Sequence, residues 1–397
     1  MFFESILITG TDDDKNIAVV KELCHQNDKR FYEVQLCANL KVTNNSYTAW
    51  NTVQDNVFDE LINNNSLVYY VETSEGRFGI NTESVNKAYK KDRIVVFSVP
   101  AFLFTSIIEA NDDFYNENNI LSIFINTQDE VLIEKEQERL SVPLDNKYKN
   151  RIHLGNSQKR KDMYKAHYTL NTGDETQIAS LINMFCDFKN RGGGLYKKLI
   201  CNMISCGILL RNADINMVKG ASYDLRLGDE YYYNGSIRSL TNEKPILTIE
   251  PYDYAIVSCK ETACIPRDVI GKFGLTVSLF CQGVVFSNGP QIDPGFRGTL
   301  FCLLFNTSNQ PIYLKRGQHY ATIEFNKLLD FAPPYEGHYQ DEEKIINYLP
   351  SNALHGGINE LKKEVEALKN ESRSMQNIYL SVVAIIFAFI SVIIAIK

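Results

Sequence analysis

What the chain lacks narrows it first. It has no basic excess: 41 Lys and Arg stand against 48 Asp and Glu, a formal net charge of −7. A general nucleic-acid surface shows as a basic excess, so no nucleic-acid partner is expected. The start, Met1-Phe2-Phe3-Glu4-Ser5, has neither a basic n-region nor a long apolar run. That predicts no signal peptide and a cytoplasmic N-terminal bulk. The nine cysteines are scattered, and two pairs, Cys201/Cys206 and Cys259/Cys264, have C-x4-C spacing, the first of them on an expected helix. On a helix, residues five apart sit about 140° apart around the axis and cannot grip one ion. Buried, reduced thiols are expected, and no metal.

What is present points to several domains. With 397 residues, 44% hydrophobic and 22% charged, two or three domains can each build a core. Ser5-Ile6-Leu7-Ile8-Thr9-Gly10 reads as a buried strand ending in a glycine turn, with a helix to about Cys24. Further strands at Ile94 to Val99 and Leu121 to Ile125, and a helix from Ala179 to Lys189, continue an α/β alternation with a parallel sheet. Arg191-Gly192-Gly193-Gly194 breaks the composition and marks a boundary. After one more helix, from about Leu195 to Ser205, short apolar runs at Tyr254 to Val257, Gly283 to Phe286, Leu300 to Phe305 and Tyr320 to Phe325 are separated by turn residues, an all-β pattern.

Gly356-Gly357 marks the second boundary. Beyond it Ile358, Leu361, Val365, Leu368, Ser372, Met375 and Tyr379 recur at spacings of three and four, with Glu and Lys on the other faces. This heptad stripe predicts a coiled-coil stalk, or an amphipathic helix lying along its own domain. Residues 379–396 then carry no charge, and only Lys397 follows. Such a run spans about 27 Å as a helix, near the thickness of a bilayer core. The expectation is a single-pass, tail-anchored membrane protein with a lipid bilayer as partner. The predicted division is 1–192 α/β, 195–350 mainly β, 356–378 stalk and 379–396 transmembrane helix.

Two runs in the β region, Ala221-Ser222-Tyr223-Asp224-Leu225-Arg226-Leu227-Gly228 and Gln291-Ile292-Asp293-Pro294-Gly295-Phe296-Arg297-Gly298, resemble motifs of the trimeric dUTPase and dCTP deaminase superfamily. The segment Gly317 to Phe325 fits as well, and Tyr335-Glu336-Gly337-His338-Tyr339-Gln340 resembles the deaminase tail that closes over nucleotide. The likeness covers about 195–345 and is nearer the deaminase branch. It implies a homotrimer, or a multiple of one, with sites between subunits. It also implies a deoxynucleotide ligand met by Asp293, Gly295, Phe296, Ser278, Tyr339 and Gln340, with Phe296 against the deoxyribose. From the residues alone, Asp293-Pro294-Gly295 is also a plain β-turn.

The departures from that family bear on chemistry. Where it carries Arg-Ser-Ser-x-x-Arg for phosphate, this chain reads Thr276-Val277-Ser278-Leu279-Phe280-Cys281. Where the deaminase uses a glutamate to move protons, this chain has Leu303, which cannot act as acid or base. The zinc deaminase signature, H-x-E with P-C-x-x-C, is absent too. A triphosphate of charge near −4 is left with little to pair with. If the domain were active, Asp293, Ser278 and Glu324 would be the candidates.

Residues 1 to about 190 resemble a guanylate kinase. The strand Ser5 to Thr9 leads into Gly10-Thr11-Asp12-Asp13-Asp14-Lys15-Asn16, at the family's P-loop. Phe58 to Ile62, Gly76 to Gly79 and Ser84-Val85 follow its nucleoside-monophosphate region in order. Gly10 and Lys15 remain, but three aspartates stand in a phosphate cradle, Asn16 replaces the magnesium-holding hydroxyl, and arginines are missing between Glu33 and Ser46. The P-loop is degenerate. No cofactor is expected, except magnesium arriving with a nucleotide. The basic cluster Lys147, Lys149, Arg151, Lys159, Arg160, Lys161 and Lys165 reads as a solvated face or as a surface for headgroups or phosphate.

Together these features predict a P-loop-kinase-like α/β domain, a dUTPase-like β domain of deaminase type, a helical stalk and one transmembrane helix. The expected function is a membrane-anchored, catalytically inactive nucleotide sensor or assembly protein. An active dCTP deaminase or dUTP pyrophosphatase with a rearranged site, and a structural scaffold without small ligand, are the alternatives.

Overall fold

The structure, a computed structural model, describes residues 3–34, 36–40, 50–109, 119–289, 291–349 and 358–396. The N-terminal region is built on five parallel strands in the order Phe31–Glu33, Ile94–Ser98, Ser5–Gly10, Ile120–Ile125, Tyr168–Leu170. Ser5–Gly10 and Ile120–Ile125 are buried at every position. That is the signature of central strands covered on both faces, and it explains their mostly apolar sequence, with Ser5, Thr9 and Ser122 the buried polar exceptions. One face is covered by the helices Asp13–Gln26 and Glu175–Asp187, the second of which starts in a capping box of Asp174 and Gln177. Beside this sheet lies a smaller four-stranded one, Asn51–Thr52, Leu36–Leu40, Gly76–Asn81 and Leu67–Glu72.

The second region is an antiparallel β fold. Its sheet path runs Gly193–Gly194, His319–Lys327, Ser222–Tyr233, Tyr254–Cys264, Arg297–Asn306, Val284–Ser287. The strand Ser222–Tyr233 turns the corner of this fold. Its first half pairs with His319–Lys327 and its second with Tyr254–Cys264, with register shifts at Leu225/Arg226 and Leu227/Tyr231. The glycines taken as a domain break, Gly193 and Gly194, pair with Lys327 and Asn326 and so belong to this sheet.

The two regions share apolar packing. One continuous buried cluster runs from Ile6, Ile8 and Val19 through Ile178 and Ile182 to Leu199, Ile208, Leu225, Leu304 and Phe325. A second cluster, including Leu7, Val95, Phe97 and Phe104, fills the opposite face of the parallel sheet.

The membrane segment expected at 379–396 is corrected by the structure. Among the described residues no helix is long and apolar enough to cross a membrane. The stretch is the continuation of a single 39-residue helix, Ile358–Ile396, that starts in the charged heptad segment. The uncharged run therefore does not stand apart from the stalk as its own anchor. With it go the transmembrane helix, the tail anchor and the bilayer partner. The boundary at Gly356-Gly357 lies outside the described residues.

Candidate functional site

The turn at 293–296 is held from two sides. Gly295 has φ +78°, and a Cβ there would come within 2.9 Å of the Pro334 Cα, so glycine is needed both for the left-handed backbone and for close approach. The Phe296 N–H donates to the Asp293 carbonyl at 3.2 Å, closing the turn. Asp293 accepts a hydrogen bond from Gln291 Nε2 at 3.0 Å.

The tail at 334–342 folds back onto the turn. Tyr335 N–H donates to the Pro294 carbonyl at 2.9 Å, and its ring meets Phe296 edge-on at 5.4 Å. Gln340 spends its whole amide on the turn: Nε2 donates to the Gly295 carbonyl and Oε1 accepts from Arg297 N–H, both at 2.9 Å. Arg297 then makes a two-pronged ion pair with Asp341, each contact 2.8 Å. Tyr339 stacks on Tyr348 at 4.7 Å.

Thus Asp293, Gly295, Phe296 and Gln340 come together, with Tyr339 one residue along the tail. Ser278 and Glu324 do not join them: among the described residues no hydrogen bond links either to the turn. Ser278 sits on the short helix Val277–Cys281 and shares a hydrogen bond with the Thr276 hydroxyl at 3.2 Å. That helix carries no cation and leaves Val277 and Phe280 76% and 69% exposed. Glu324 is exposed on His319–Lys327, opposite Lys272 and Ser222 in register. Leu303 lies on the half-buried face of Arg297–Asn306, across from Ile256 and Ser287.

A buried acid network was not anticipated. Glu261 is fully buried and accepts from the Tyr223 hydroxyl at 2.9 Å, the Arg226 backbone N–H at 3.0 Å and Arg226 Nε at 2.6 Å. Arg226 Nη2 also reaches the Asn212 carbonyl at 2.7 Å. Burial pushes the Tyr223 hydroxyl pKa up. The first family-like run, 221–228, therefore supplies the corner that shapes the β fold. The sequence signal was a lone carboxylate among Cys259, Ala263 and Cys264, where an unpaired charge would be costly.

At 10–16 the N-terminal loop is filled by its own side chains. Asp12 caps the helix through Lys15 N–H at 3.2 Å and pairs with Lys135 at 2.6 Å. Lys159 donates to the Thr11 carbonyl at 3.0 Å and stands 3.6 Å from Asp13. Burial raises the Asp13 pKa, against the opposing pull of Lys159. Lys15 turns away and donates to the Gly173 carbonyl at 2.8 Å. Gly10 is packed against the Ile125 carbonyl. Asn16 is fully buried and neither atom of its amide has a partner. A lysine spent on Gly173 and carboxylates held by lysines do not form a phosphate cradle, so the residues present do not fit a magnesium nucleotide there. Of the basic cluster, Lys159 and Arg160 are committed to this end of the sheet, Arg160 through Asn126, Thr127 and Asp129.

All nine cysteines are free thiols. Burial pushes Cys24 and Cys302 up to about 12 and Cys37 and Cys206 up to about 11, so these four stay protonated and unreactive.

Comparison with known proteins bears on the β region above all. Among solved structures, a guanylate kinase from Anaplasma phagocytophilum superimposes with TM-score 0.32 at 11% identity, covering 47% of this chain and 85% of that one. The 2'-deoxycytidine 5'-triphosphate deaminase of Agrobacterium tumefaciens gives TM-score 0.31 at 20% identity, over 34% and 48%. Superpositions this loose carry no weight. The sequence relatives are firmer. The chain is 33% identical over 140 residues to the dCTP deaminase of Pyrococcus horikoshii and 37% identical over 139 residues to that of Thermococcus kodakarensis. In each case the match covers 35% of this chain and 88% of the relative. The family model described as dCTP deaminase-like matches residues 198–328, which hold both the Glu261 corner and the 293–296 turn. Through this β region the chain belongs to the dCTP deaminase-like family.

Proposed function

We propose that the protein is a nucleotide-binding, catalytically silent member of this family: a deaminase-like β domain joined to a degenerate kinase-like domain, working as a homo-oligomer. The observation that carries the reading is Leu303. The resemblance puts the proton-moving glutamate at this position, and here an aliphatic side chain faces its neighbours Ile256 and Ser287. No proton can be moved from it. The helix Val277–Cys281, where the family carries its phosphate-binding arginines, has none. The turn and tail that the resemblance implies would hold sugar and base are tied together by Gln340 and Tyr335, which favours binding of a deoxynucleotide without turnover.

Assembly is supported by two apolar surfaces that one chain leaves partly exposed. The run Phe301-Cys302-Leu303-Leu304-Phe305 is apolar at every position, the pattern of a strand covered on both sides. One chain buries only its alternate residues and leaves Phe301, Leu303 and Phe305 half-exposed. On the helix Ile358–Ile396, Val365, Leu368, Met375 and Tyr379 of the heptad stripe are exposed. A second and third copy would cover both, and a trimer is what the resemblance implies.

The test is melting temperature and sedimentation of the full chain with each deoxynucleoside triphosphate. A ligand that binds only the native state must raise the melting temperature, by RT ln(1 + [L]/Kd) in free energy. A shift with one deoxynucleotide on an oligomer supports the reading. No shift with any at millimolar concentration removes the nucleotide and leaves the scaffold alternative.

A further inference from the structure

We infer that the N-terminal region positions the family's turn and tail, and that Arg267 is the positioning residue. The turn does not rest on its own sheet alone. Gly295 N–H donates to the Pro266 carbonyl at 3.4 Å. The next residue, Arg267, is 5% exposed and ties three segments together. Its Nη1 donates to the Lys165 carbonyl at 3.0 Å and its backbone N–H to the His167 carbonyl at 3.3 Å, both in the N-terminal region. Its Nε donates to the Ala332 carbonyl, and its carbonyl accepts from Ala332 N–H, each at 2.9 Å, at the start of the tail. Asp268 repeats the pattern: it accepts from the Tyr168 hydroxyl of the N-terminal region and pairs with Lys327 at 2.7 Å.

Rings close the same seam. Phe331, at the head of the tail, stacks on His167 at 4.0 Å and meets Tyr168 edge-on at 5.9 Å. His167, Arg267, Gly295 and Arg297 line one narrow gap at this seam. The turn, the tail and strand Tyr168–Leu170 therefore move together or not at all. A displacement of 165–168 is passed to both elements that the nucleotide reading needs, through the charge-assisted bonds of Arg267 and Asp268. The inference itself needs no ligand and stands or falls apart from nucleotide binding.

Amide exchange on the full chain tests it. Arg267→Ala is expected to speed exchange of 293–298 and 335–342 by about tenfold or more, the size set by losing charge-assisted hydrogen bonds. Exchange in the strand Arg297–Asn306 beyond Thr299 should stay slow. Tyr168→Phe keeps the ring but removes the hydroxyl on Asp268, and is expected to act on the same segments in smaller measure from the other side of the seam. Arg30→Ala, which breaks pairs with Asp187 and Asn183 away from the seam, should leave them unchanged. Wild-type exchange of turn and tail in both seam variants would overturn the inference, as would a uniform acceleration of the whole β region.

Discussion

The 293–296 turn is set by backbone and neutral groups: Gly295 takes a left-handed angle and the Gln340 amide clamps the turn, while the nearby helix Val277–Cys281 carries no cation. The 10–16 loop, between a strand and a helix, is instead crowded with carboxylates, and lysines of the same chain neutralise them. One place is held by neutral amide and ring contacts, and the other is filled by charges that pair with one another.

The comparison can be broken by substitutions in each region. The largest effect is expected at the β corner. Glu261→Ala leaves Arg226 and the Tyr223 hydroxyl buried without their acceptor, and should cost about 3–5 kcal/mol in denaturant unfolding. A loss near zero would mean that the corner is held by strand pairing alone. Next is Gly295→Ala, which forces a Cβ toward Pro334 at a positive φ. It should cost about 1–3 kcal/mol and loosen the tail, seen as faster exchange at 335–342.

A pH effect follows from His167, at the seam. Its Nδ1 accepts the Ser122 backbone N–H at 3.0 Å, which places the proton on Nε2. Burial, with Arg267 and Lys189 adding to it, holds its pKa well below the ordinary value. In the unfolded chain it takes up a proton near pH 6.5. Between that point and its lower folded pKa the unfolded state binds more protons, so stability is present above about pH 6.5 and falls as pH drops. The slope is at most about 1.4 kcal/mol per pH unit. His167→Asn, which keeps an acceptor for Ser122, should flatten that slope. An unchanged slope would place the titrating group elsewhere.

The smallest effects belong to the charged loop. Lys135 is half-exposed, so Lys135→Ala should cost under about 1 kcal/mol. Asp13→Asn should raise the melting temperature at pH 7. A carboxyl whose folded pKa is raised stabilises below its unfolded value and is a liability above it. A fall in melting temperature instead would show that its pairing with Lys159 outweighs its burial.

Much of the fold was legible because it is written in local pattern. The mostly apolar runs at 5–10 and 121–125 announced parallel strands, and Asp293-Pro294-Gly295 announced a turn whose left-handed glycine the structure shows. What could not be read came from distance along the chain. Gln340 reaches Gly295 across 45 residues and Arg267 reaches Lys165 across 102, and no spacing rule links such pairs. Ser278 was chosen by alignment with a family and Glu324 as a nearby acid, and among the described residues no hydrogen bond links either to the turn. The 379–396 segment misled for a different reason. An uncharged run reports what a helix avoids, and here it extends a charged amphipathic helix.

The most direct measurement follows dCTP and dUTP by product mass during incubation with the full chain. The account predicts unchanged substrate alongside a raised melting temperature. Release of ammonia or pyrophosphate, abolished by Asp293→Ala or Glu324→Ala, would contradict it and make this chain an enzyme that works without the family's glutamate.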